Sequence, residues 1–168
     1  MNPFDRNAFY WKGPDDFVRL DTECASLLRR FFEWMQTAEG GMSAPERASA
    51  LAHAADRYLR DFVVDIKETG PADEDPALVR QYLGNWYIIH TLVPTHEEID
   101  RIAEALRRLY AYLARSQIVS GATADWVAQV LDDPDFFHAR LEAFWDLTPD
   151  TIPGWRQVDD YRKKQLPA

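Results

Sequence analysis

The chain has 168 residues, 46% of them apolar and 13% aromatic with six Trp, which excludes general disorder and suffices for one domain with a substantial core. Its net charge of −9 repels a phosphate backbone, so nucleic acid is disfavoured as a partner, and its single Cys admits no internal disulfide. Residues 1 to 6 lack the basic start and apolar run of a leader, and no apolar run approaches the ~18 residues of a membrane span, so a cytoplasmic protein without membrane attachment is expected.

Phe4, Phe9, Tyr10 and Trp11 lie in residues 1 to 14 without helical period, and Gly13-Pro14 closes this stretch off as an aromatic N-terminal arm. From Asp16 to Met35, Phe17, Leu20, Cys24, Leu27, Phe31 and Trp34 step by three and four, which predicts a first long helix. Gly40-Gly41 ends it. Ser43 and Glu46 have capping-box spacing around Pro45, and the following helix puts Leu51, Ala55, Tyr58, Leu59, Phe62, Val63 and Ile66 on one face, stopping before Gly70-Pro71.

Residues 71 to 76 form an acidic connector, with Asp75-Pro76 placed as N-cap and first helical residue. In the third helix Val79, Tyr82, Leu83, Trp86 and Ile89 keep helical phase, although residues 86 to 93 are also rich in β-formers; helix is preferred because no partner strands are in view. Gly84 costs about 1 kcal/mol relative to Ala inside a helix, which predicts close approach of a neighbour.

The clearest element follows Thr95. Thr95 and Glu98 have capping-box spacing, and Ile99, Ile102, Ala103, Leu106, Leu109, Tyr110 and Leu113 make one continuous apolar stripe. Acids early and Arg107, Arg108 and Arg115 late suit the helix dipole. This predicts a central helix over about 96–116, roughly 30 Å long, on which the rest packs. Ser120-Gly121 breaks the chain before a short helix carrying Trp126, Val127, Val130 and Leu131. Asp133-Pro134 starts the last one, with Phe137, Leu141, Phe144 and Trp145 on its stripe. The expected fold is therefore all-α: a single compact bundle of five or six helices in residues 15–149, with an arm (1–14) and a basic C-terminal tail (150–168) holding a short turn of helix after Pro153.

Signatures of chemistry are sparse. The Glu-x-x-His pairs of di-iron bundles and the His-Glu-x-x-His zinc spacing are missing, and His53 with Asp56, His90 near His96 and Glu97, and Asp135 with His138 each lack a third ligand. No metal or cofactor is expected. Cys24 lies on an apolar stripe, where a thiol behaves as a small hydrophobe, and neither Ser43 nor Ser120 sits in a nucleophile elbow. Residues 125 to 150 hold seven acids against Arg140, a balance of −6 that argues against a DNA-reading helix pair there.

These features favour a non-catalytic helical module that binds a protein partner and is capable of self-association into a homodimer. Trp11, Trp155, Tyr161, Arg162, Lys163 and Lys164 are its candidate contact residues, because rings interleaved with positive charge suit an acidic surface, although packing of the arm and the tail on their own acidic domain is the preferred reading of these segments. The alternative is an enzyme or small-ligand binder with an interhelical pocket near Tyr82, Trp86 and His90; a third reading is a nucleic-acid-associated regulator using the basic tail. A deep polar cavity would favour the second, and a solid core with exposed rings the first.

Overall fold

A computed structural model of the chain describes residues 4–162. Among them are seven helices and no strand. Helix α1 spans Phe17–Met35. Helix α2, Pro45–Asp56, runs on without a break as a π-helical segment, Arg57–Ile66. Helix α3 begins at Ala77–Gln81, widens into a second π-helical segment, Tyr82–Trp86, and ends with Tyr87–Ile89. Then come α4 (His96–Arg115), α5 (Gly121–Leu131), α6 (Pro134–Trp145) and α7 (Ile152–Gln157). Short 3-10 turns occupy Arg6–Phe9, Pro14–Asp16 and Pro71–Asp73. The all-α reading stands: residues 15–149 hold six helices, and the short turn of helix expected in the tail is a seventh, α7, with Pro153 in its first turn. Residues 86–93 contain no strand, since the helix continues to Ile89 and the chain then turns into α4. Among the described residues no helix is long and apolar enough to cross a membrane.

The N-terminus of α4 forms largely as its sequence requires. The Thr95 hydroxyl accepts from the Glu98 N–H at 3.1 Å, but the Glu98 carboxylate is taken by the Tyr87 hydroxyl at 2.5 Å. A tie to α3 thus replaces the reciprocal half of the expected capping box. The buried face of α4 carries Ile99, Ile102, Leu106, Leu109, Tyr110 and Leu113, joined by Ala105 and Tyr112, while Ala103 is only partly covered. It packs on α2, α5 and α6. Helix α1 packs chiefly on α2 and its π continuation, so α2 shares the central place that the sequence assigns to α4 alone. Arg60 joins these layers, donating to both oxygens of Asp21 on α1 at 3.0 Å and to Asp56 at 3.2 Å.

Three local expectations are corrected. Pro45 fixes the first helical φ of α2, so the cap position falls on Ala44 rather than Ser43, and Ala44 has no side-chain acceptor. In the π segment the Phe62 carbonyl accepts from Lys67 N–H, five residues on, at 2.9 Å. This wider turn re-phases the helix, so that Phe62, Val63 and Val64 are buried in succession while Ile66 turns outward. The third concerns Trp145: it belongs to the α6 stripe by spacing, yet α6 ends there and its ring is 56% exposed. The neighbour predicted at Gly84 is α6, whose Phe136 and Phe137 rings lie 3.6–3.7 Å from where a Cβ would stand, an ordinary contact distance.

Arm and tail both pack on this domain. Phe9 is fully buried, and Arg19, paired with Asp16, donates to the carbonyls of Ala8 at 2.7 Å and Tyr10 at 3.2 Å. Glu74, at φ 50°, gathers the Ser120 N–H, the Thr123 hydroxyl and Arg6 around one carboxylate at 2.5, 3.0 and 2.8 Å. Donation by the Ser120 N–H, ahead of the other donors, holds that carboxyl below its ordinary pKa of 4.5. In the tail, buried Asn85 donates to the carbonyls of Arg156 and Val158 at 3.0 and 2.9 Å.

Candidate functional site

Helix α3 carries the three rings that the sequence singles out, and its geometry stacks them in a column. Tyr82 lies on Trp86 at 5.5 Å and 23°, and Trp86 on His90 at 4.5 Å and 17°. The His90 Nδ1 is 2.8 Å from the Trp86 carbonyl oxygen. Tyr161 of the tail meets both His90 and Phe62 edge-on, at 5.8 and 6.2 Å. The column faces two different spaces. Tyr82 lines a cleft of 150 Å³ between α2 and α4, whereas His90 lines an open groove of 560 Å³ beside α6.

The cleft is polar where the core is not. Arg57 and Arg101 stand on its sides with Glu98, and His53 lies at its edge. Arg57 is fixed: it donates to the His90 carbonyl at 2.9 Å and the Thr91 hydroxyl at 3.0 Å, and lies over the Trp86 ring at 5.3 Å. The Tyr82 hydroxyl is buried and meets no hydrogen-bond partner among the described residues, nor does the Trp86 indole N–H. Burial raises the Tyr82 phenol pKa far above its ordinary value, so it remains a proton donor at neutral pH. Sequence reasoning reached Tyr82 through helical phase and Glu98 only as a capping-box residue, whereas Arg57, from the π-helical continuation of α2, and Arg101, from α4, carry no local motif.

The groove is apolar. Ile89, Phe144 and Trp145 line it with Leu92 and Pro94, and a second hollow of 260 Å³, lined by Ile89, Phe144, Leu147, Ile152 and Trp155, shares two of its residues. Leu92 and Val93 project from the α3–α4 loop with 98% and 71% of their surface exposed. The Trp145 ring stands edge-on to His96 at 5.6 Å, and His96 Nε2 is 3.4 Å from Glu142. His138 pairs with Asp100 at 2.7 Å rather than with Asp135. Among the described residues, no three His, Cys, Asp or Glu side chains converge as metal ligands.

Of the contact residues suggested by sequence, Trp11, Trp155 and Tyr161 pack on their own domain. The backbone N–H of Trp11 donates to Asp73 at 3.1 Å. Trp155 is 7% exposed, its indole donating to the Arg140 carbonyl at 3.0 Å and its face covered by the Arg140 guanidinium at 3.8 Å. That guanidinium is buried, which lowers its pKa to about 10. Arg162 folds back on Asp160 at 2.6–3.1 Å, and Lys163 and Lys164 lie outside the described residues. Cys24 is fully buried, and burial pushes its thiol up to about 12.

No protein-family model, curated protein or solved structure matches this chain.

Proposed function

We propose that this chain is a non-catalytic helical interaction module that docks an amphipathic helix of a partner protein in the groove beside Leu92, Val93 and Trp145. The carrying observation is the exposure of Leu92 and Trp145 along one largely apolar groove, with exposed Val93 next to Leu92 in the same loop, a combination that marks interaction surfaces. The partner's chemistry follows from the surrounding charge. Glu142 on α6, and Asp146 and Asp150 just after it, are all exposed, and they complement a helix with basic residues flanking its apolar face. A thiol held at about 12 in the core argues against thiol catalysis.

The test uses three baits against a lysate of the source cells: the wild-type chain, a Leu92→Glu/Trp145→Ala double variant, and Val18→Glu, which alters an exposed apolar side chain on α1 instead. A protein retained by the wild type and Val18→Glu, lost by the double variant and released by rising salt, is the expected result. Equal retention by all three baits refutes the assignment.

A further inference from the structure

A second feature concerns small molecules and stands apart from the docking groove. The cleft between α2 and α4 has a volume of 150 Å³, about that of a cavity that holds a benzene ring. Tyr82 is among its lining residues, and the Tyr82 hydroxyl is buried with no hydrogen-bond partner among the described residues. A buried donor left unmade is costly, and native proteins seldom keep one without a use for it. The charges that act on this hydroxyl include Arg57 and Glu98, both lining the same cleft.

Arg57 and Arg101 outweigh Glu98 by one positive charge, in a chain whose net charge is −9. Glu98 is further engaged by the Tyr87 hydroxyl at 2.5 Å. Arg57 is preorganised, with its two terminal nitrogens bonded to Thr91 and His90 and its Nε–H outside both bonds. Arg101 pairs with Glu97 at 3.7 Å and keeps 47% of its side-chain surface exposed. Ala54 and Ile102 give the cleft an apolar wall.

We propose that this cleft binds a small monocarboxylate with a short apolar body, of four to about seven carbons. Its carboxylate accepts from the Tyr82 hydroxyl and pairs with the arginines, while its hydrocarbon lies against Ala54 and Ile102. A dianion is disfavoured because the lining residues carry a net charge of only +1, and a neutral amide cannot use that charge.

The probes are butyrate, benzoate, benzamide and inorganic phosphate, titrated into the full chain by calorimetry and by amide chemical-shift changes. Saturable binding of butyrate or benzoate is expected, with benzamide and phosphate at least tenfold weaker. Tyr82→Phe removes one oxygen from a packed ring, and Arg101→Gln alters an exposed side chain. Each should weaken carboxylate binding about tenfold while leaving the far-UV spectrum unchanged. The proposal is overturned if neither carboxylate binds, if benzamide or phosphate binds equally well, or if folded Tyr82→Phe and Arg101→Gln both bind as tightly as the wild type.

Discussion

Leu106 is fully buried midway along α4, and replacing it with Ala removes three carbon atoms from the face shared with α2, α5 and α6. At about 0.8 kcal/mol per buried methylene the transfer loss alone is about 2.4 kcal/mol, and an unrelaxed cavity brings the total to roughly 3–4 kcal/mol. Thr95→Ala removes one cap bond of 3.1 Å and leaves Glu98 on Tyr87, so it should cost only about 1 kcal/mol. For a domain of this size each kcal/mol shifts the midpoint by about 2–4 °C, which separates the variants by roughly 4–12 °C. Urea unfolding followed by far-UV circular dichroism measures both losses, and an unchanged denaturant slope verifies that midpoint differences report stability. Equal losses, or a larger one for Thr95→Ala, would refute the placement of α4 in the core.

Further outcomes follow from the same contacts. The depressed carboxyl of Glu74 contributes stability above pH 4.5 that is lost as the pH falls through its lower folded value; Glu74→Gln should therefore weaken the protein at pH 7 and flatten its acid-unfolding limb in urea titrations. Tyr58 and Tyr110 share a buried bond of 2.7 Å, and burial raises both, Tyr110 to about 12, so their contribution is present below pH 10 and lost as the pH climbs toward 12. Phenolate absorbance from these rings should emerge together with loss of helix signal, not before it. Gly84→Ala should be neutral or raise stability by up to about 1 kcal/mol, because its Cβ has room, whereas Gly70→Ala, whose Cβ would fall 2.1 Å from the Phe9 carbonyl oxygen, should destabilise and loosen the arm, as limited proteolysis would read.

The sequence makes α4 legible because a cap, a dipole and a 3.6-residue stripe are local properties, written within twenty consecutive residues. Asp133 likewise announces α6, and its carboxylate accepts the Phe136 N–H as a cap should. Periodicity fails at Ile66 because it assumes an α-helical turn, and the five-residue bond at Phe62 changes the angle per residue. It fails at Trp145 for another reason: a stripe identifies a face but not whether anything covers it, and Trp145, the last residue of α6, stands more than half exposed. The cleft was half legible. Tyr82 stands in phase with its helix, but its neighbours Arg57 and Glu98 become neighbours only when α2 and α4 pack together.

The carboxylate knot at Glu74 also bears on how the chain folds as it is made. Its anchors for the N-terminal arm arrive late, since Glu74 follows Arg6 by 68 residues and precedes Ser120 by another 46. At cellular synthesis rates Ser120 is joined to the chain on the order of ten seconds after Arg6. Arg6 is therefore translated well before the carboxylate knot that holds it is complete. Until Gly70–Asp73 is synthesised, Phe9 and Trp11 are without the segment that their backbone meets in the folded chain.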